Sequence, residues 1–229
     1  MKLANYVCKK WLYLIMNHVE IAVCKLRQSA KITAGARFNA ARRLKKRDWF
    51  GTFSIAMFSA ISIGIAAVQK VYAFSTGSLA DNYLTALSIS IGLFVVVISL
   101  IEWGVNARLH ADMFQKNAED LNHFRRELDL RLAKAEDGFT LSHEEADLLN
   151  GKYERIMRSC PINHETIDKE LFDIEESATL KANDWNATKI IDMVYKTRIR
   201  LNTLLSGIRY FLVFWLFILA LLAIAILKY

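Results

Sequence analysis

A single proline, Pro161, stands in 229 residues, so almost nothing in this chain stops a helix: proline both lacks an amide donor and clashes with the turn before it. Internal repeats and low-complexity tracts are absent. Cysteine is scarce. Cys8, Cys24 and Cys160 form no CxxC or His-spaced pair, so the chain has no zinc-ribbon spacing, and an odd number of cysteines reads most simply as free thiols. The histidines His18, His110, His123, His143 and His164 are scattered and make no HExxH; the HxD pair of His110 and Asp112 points in two directions from a helix. No Walker A loop or GxGxxG is present, and no Ser or Cys has a neighbouring His in triad order. With no clustered ionisable set, no catalytic residue, metal site or cofactor is predicted, and the chain reads as a non-enzyme.

What the sequence has is apolar residues in long blocks. Trp49 to Val68 (WFGTFSIAMFSAISIGIAAV), Tyr83 to Ile101 (YLTALSISIGLFVVVISLI) and Tyr210 to Leu227 (YFLVFWLFILALLAIAIL) carry no charge. Twenty helical residues rise about 30 Å, the thickness of a bilayer's hydrocarbon layer. Three transmembrane helices are therefore predicted, the first two (49–68 and 83–101) as a hairpin. The opening MKLANYVCKKWLYLIM has Lys9 and Lys10 within its apolar run and no clean cleavage site, so it reads as a retained segment.

Basic residues set the predicted orientation, because Lys and Arg beside a span resist translocation. Residues 1–48 hold twelve Lys or Arg against two acids and end in Arg42, Arg43, Lys45, Lys46 and Arg47, whereas Gln69 to Asn82 holds only Lys70 as a base. The N-terminus is placed in the cytoplasm. Arg108, Arg198, Arg200 and Arg209 flank the segment from Glu102 to Arg209, which is placed there too, leaving the C-terminus outside. That segment has sixteen bases against twenty acids, so the net charge of +7 is juxtamembrane. Such a cluster contacts anionic lipid and sets topology, and direct nucleic-acid binding is not predicted.

The polar segments read as helices. Ile21, Leu26, Ala30, Ala34, Phe38, Ala41 and Leu44 make an amphipathic basic stem running straight into the first span. Leu109, Met113, Phe114, Leu121, Phe124, Leu128 and Leu132 carry a second stem onward from the second span. Asp137 and Gly138 read as a turn, and Ser142 with Glu145 makes a capping box that starts the next helix. Pro161 ends it near Ser159 within YERIMRSCPINHETID, Tyr153 to Asp168, and Asn163 or His164 caps a helix from His164 to Glu176. A last helix from about Asp184 feeds the third span. Four regions result: a cytoplasmic basic stem (1–48), a transmembrane hairpin (49–101), a cytoplasmic helical module (102–209) and a third membrane helix (210–227).

At 100° per residue, Ser88, Gly92, Val95, Ser99 and Glu102 share one stripe of the second span; Thr52, Ala56, Ser59, Ile63 and Ala66 make a similar stripe on the first. In lipid, small and hydroxyl-bearing faces want a partner, so the two spans are expected to pack together. One reading makes Thr52, Ser59, Ser88, Gly92, Ser99 and Glu102 pore-lining in an oligomer, Glu102 favouring cations at the mouth. The other is ordinary helix packing, each Ser hydroxyl bonded to a carbonyl one turn back. The third span has no polar side chain between Tyr210 and Lys228 and is assigned to the lipid-facing perimeter. Tyr153, Glu154, Arg155 and Arg158 could bind a phosphate or a base, or form a solvated helix face with Tyr153 in the core.

The basic stem ending ARFNAARRLKKRDWF, the closely spaced pair of spans, the Leu- and Phe-bearing helix after them and YERIMRSCPINHETID with Tyr153, Pro161, Asn163 and Asp168 together resemble the SLATT family, membrane effector domains associated with SMODS nucleotide synthetases and SLOG nucleotide sensors in bacterial conflict systems. The third span is similar to a subfamily coupled to reverse transcriptases in antiphage systems. The resemblance implies a pore-forming effector of the bacterial inner membrane, silent until a signal or partner acts on its cytoplasmic helices, then breaching the membrane and killing the cell. Partners it implies are the lipid bilayer, further copies of the chain, and functionally a nucleotide synthetase, nucleotide sensor or reverse transcriptase. Tyr153, Pro161, Asn163 and Asp168 would then form a cytoplasmic joint folding the helices against the stems. The alternative is a non-conducting membrane scaffold that recruits a cytosolic enzyme.

Overall fold

The computed structural model describes residues 18–71, 77–136, 141–180, 197–202, 205 and 208–228, and among these every extended element is a helix. α1 runs His18–Val71, α2 Leu79–Val105, α3 Ala107–Glu136, α4 His143–Arg158, α5 Thr166–Leu180 and α6 Arg209–Lys228. The turn expected at Asp137 and Gly138, most of the helix expected from Asp184 and the first 17 residues lie outside the described residues. The chain divides into two compact units, residues 1–41 with 112–199 and residues 42–111 with 200–229.

The first unit is built from polar helices with apolar faces. Val19, Val23, Ala30 and Ala34 of α1 pack on Leu121, Phe124, Leu128 and Leu132 of α3, with Leu141 and with Leu149 of α4 closing the core. The two stems thus pair within this unit. Spacings of three, four and seven residues keep each set on one helix face, and each fully buried Leu or Phe contributes about 1.5–3 kcal/mol. α5 lies so close to α1 at one point that a Cβ on Gly35 would fall within the Phe172 ring. That approach explains a glycine inside a helix, where it otherwise costs about 1 kcal/mol against alanine.

Local chemistry sets the helix ends. Ser142 and Glu145 bond reciprocally as a capping box, and α4 stops at Arg158 with Ser159 as its C-cap, one residue short of the Cys160–Pro161 step. α5 begins at Thr166 rather than the expected His164. The Asp168 carboxylate accepts the Glu165 N–H at 3.1 Å, so the first turn closes on Glu165 instead of Asn163.

The second unit is apolar. Phe58 and Ile65 of α1, Leu87, Ile91 and Ile98 of α2, and Phe211 and Ile218 of α6 form one buried cluster. Gly77, at φ 82°, precedes Ser78, whose hydroxyl caps α2 by accepting the Asp81 N–H. The stem expected to run unbroken out of α2 is interrupted. Asn106 adopts the left-handed conformation at φ 48° and ψ 43°, capping α2, and α3 starts at the next residue. Asparagine tolerates that region better than most residues, so the helix stops without Pro or Gly.

α1 and α2 each contain a stretch long and apolar enough to cross a membrane. α6 is a further apolar helix of 20 residues. Phe211, Phe214, Trp215, Ile218 and Leu221 of α6 pack inward while Val213, Leu216 and Phe217 remain exposed.

Candidate functional site

Two constellations carry the polar chemistry. In the first unit, Arg37 of α1 is 1% exposed, and Asn39, Asn117 and Asp168 are buried near it. Arg37 Nη1 donates to Asn117 Oδ1. The Asn117 amide in turn donates to the Ile156 carbonyl and to Ser159 Oγ at the end of α4. Asn39 Nδ2 donates to the Asp168 carbonyl at 3.2 Å, so neighbouring side chains of α1 hold α3, the end of α4 and the start of α5. Lys31 pairs with Glu176 as a further tie to α5.

The cost of this arrangement is a buried guanidinium whose side-chain partner is a neutral amide. Burial pushes the Arg37 group down from its ordinary value, with Cys160 and Tyr153 acting in the opposite direction. Burial and then the positive charge of Arg37 hold the His164 imidazole below its ordinary value, against Asp168. Arg37 Nε and His164 Nδ1 are buried and reach no hydrogen-bond partner among the described residues. Buried polar atoms in this state make a junction with little margin.

Of the residues proposed for a joint, Asp168 is buried and Tyr153 is half-buried with its ring 6.1 Å from Phe124, whereas Pro161 and Asn163 are exposed. Arg37 and Asn117 were not singled out by the sequence. They sit 80 residues apart, and no local pattern marks their meeting. Cys160 is buried and Cys24 half-buried, and neither is part of a disulfide among the described residues. Among the described residues no group of three or more His, Cys, Asp or Glu is placed to hold a metal ion.

The second constellation lies on α1 and α2. Ser88 Oγ meets Ser62 Oγ at 3.1 Å, Ser99 Oγ donates to the Val95 carbonyl at 2.7 Å, and Ser59 Oγ donates to the Ile55 carbonyl at 2.9 Å. Glu102 pairs with Arg47 at 3.1 Å, and Arg108 with Asp48 at 3.6 Å, so charges close the end of the hairpin. A Cβ on Gly92 would meet open space.

The two small-residue stripes do not face each other as expected. α1 turns Ser54, Phe58 and Ile65 inward, because the seam is filled by bulky side chains, and leaves Thr52, Ala56, Ile63 and Ala66 exposed. Trp215 also escaped the sequence reading. Its indole N–H donates to Ser54 Oγ at 3.0 Å, giving the apolar α6 a polar anchor, and Tyr83 Oη donates to the Leu221 carbonyl at 2.9 Å.

A family model described as SMODS and SLOG-associating 2TM effector domain family 5 matches residues 22–227. No curated protein and no solved structure matches the chain.

Proposed function

We propose, since the chain belongs to the SLATT family of SMODS and SLOG-associating 2TM effector domains, that this membrane effector of conflict systems acts as an oligomeric pore. Membership and the two apolar helices make it a membrane effector domain; assembly, conduction and killing are our reading. The observation that carries it is the exposed stripe of α1, where Thr52, Ala56, Ile63 and Ala66 lie uncovered in one chain. Hydroxyls and small residues in hydrocarbon gain from protein or water contact, and a second copy supplies both a covering surface and a water-filled seam.

In this reading α1, α2 and α6 all span the bacterial inner membrane, with the N-terminus and residues 102–209 cytoplasmic and the C-terminus outside. Thr52 and Ser59 face the seam, and Gly92 permits close approach of a neighbouring helix. The Arg47–Glu102 pair keeps the mouth neutral in the closed state, and its opening exposes a carboxylate that favours cations. The trigger acts on the polar helices, and α1 belongs to both units as one helix, giving it a route to the span. A nucleotide synthetase, nucleotide sensor or reverse transcriptase supplies or controls that trigger.

A second reading has its own observation: Ser59, Ser62, Ser88 and Ser99 all find acceptors within the chain, as in a non-conducting scaffold that recruits a cytosolic enzyme. Expression in cells with a membrane-impermeant dye separates the two. The pore predicts dye entry on triggering and, under an added thiol oxidant, disulfide-linked dimers from Thr52→Cys. Growth arrest without dye entry, with an enzyme retained on the purified chain, favours the scaffold.

A further inference from the structure

The first unit contains a cleft of about 220 Å³ lined by Arg27, Gln28, Lys31, Arg125 and Asp129. Arg27 and Lys31 are one turn apart on α1, and Arg125 and Asp129 one turn apart on α3, so each helix turns a charged pair toward the cleft. Three of the five lining groups are cations and one is an anion, and all are polar. Arg27 Nη1 meets Asp129 Oδ1 at 3.1 Å, and Lys31 pairs with Glu176. Arg125 is left over. Among the described residues it makes no ion pair, and its buried Nε reaches no acceptor.

We propose that this cleft binds a phosphate-bearing ligand. A phosphate presents several strong acceptors around one centre, which matches an Arg fork needing acceptors beside a second Arg and a Lys. No aromatic or aliphatic side chain lines the cleft, so recognition falls on the phosphate and not on whatever carries it. Bound there, the anion bridges α1 and α3 and relieves the unpaired charge of Arg125. Nothing in this assignment depends on the chain conducting ions.

Titration calorimetry on the full chain in neutral detergent tests it, with inorganic phosphate as probe at constant ionic strength. A second arm uses nanodiscs of phosphatidylcholine with and without phosphatidic acid. Saturable binding of free phosphate identifies a soluble ligand; binding seen only with phosphatidic acid identifies a lipid headgroup. Arg125→Gln should weaken binding about tenfold or more, while Arg126→Gln, with the same charge change at an exposed position outside the cleft, should leave it within about twofold. Asp129→Asn removes the competing anion and should tighten binding several-fold, a gain that a misfolded variant does not produce. Equal losses from Arg125→Gln and Arg126→Gln, weaker binding in Asp129→Asn, or no saturable binding in either arm would overturn the assignment.

Discussion

Arg37 and Asn117 meet across 80 residues of sequence, and at the residue scale this pair has the most to lose. Asn117 accepts from the guanidinium and donates to the end of α4, so one side chain satisfies groups on two other helices. Asn117→Leu strands a buried cation and should destabilise the first unit by about 3 kcal/mol, read as faster amide exchange across α4 with α6 unaffected. A second prediction concerns pH. His164 lies below its ordinary value of 6.5 in the folded chain. Above that value both folded and unfolded chains hold a neutral ring, and the group costs nothing. As pH falls through it, the unfolded chain takes up a proton that the folded chain resists, and stability drops until the folded value is reached. The denaturation midpoint of the first unit should therefore fall as the pH is lowered through the ordinary histidine value of 6.5, and His164→Asn should flatten that part of the profile.

At the scale of elements, legibility in the sequence followed locality. The Ser142–Glu145 box spans three residues, and the Cys160–Pro161 step acts on its own turn, so the limits of α4 could be read directly. The path of α1 from basic stem into apolar span was legible for the same reason, since no residue between His18 and Val71 breaks a helix. Asn106 was not legible. A helix can pass through asparagine, and only tertiary context selects the left-handed conformation that separates α2 from α3. The seam of the hairpin was misread because a stripe of small residues reports what can approach closely but not what does. Phe58 and Ile65 filled the contact by volume, and Trp215 reached Ser54 through its indole N–H. Two substitutions test these ends. Ser142→Ala should cost about 1 kcal/mol and raise exchange in the first turn of α4. Asn106→Val places a β-branched residue in the left-handed region and should cost about 2 kcal/mol, whereas Asn106→Gly should be close to neutral by the same thermal unfolding measurement.

For the whole molecule, the two units differ in what their exposed surfaces require. The surface of the second unit presents Phe53, Ile63, Ile89, Leu93, Leu100 and Val213 to the outside, which water would penalise and a bilayer would solvate. The first unit buries the apolar faces of its helices and, Arg37 and Asp168 apart, leaves most of its charges outside. A pore built from this chain needs several copies, because Ser62, Ser88 and Ser99 already have acceptors in one, and its lining has to come from the uncovered face of α1. The most direct measurement is dye release from liposomes carrying the purified chain, with and without a nucleotide synthetase, nucleotide sensor or reverse transcriptase as the source of the trigger, at matched insertion and oligomeric state. A pore lined by this face of α1 releases dye on triggering, and Thr52→Leu combined with Ser59→Leu abolishes that release. Triggered release unchanged in that double variant would contradict the lining, and no release from inserted, oligomeric protein under any trigger would contradict the pore itself.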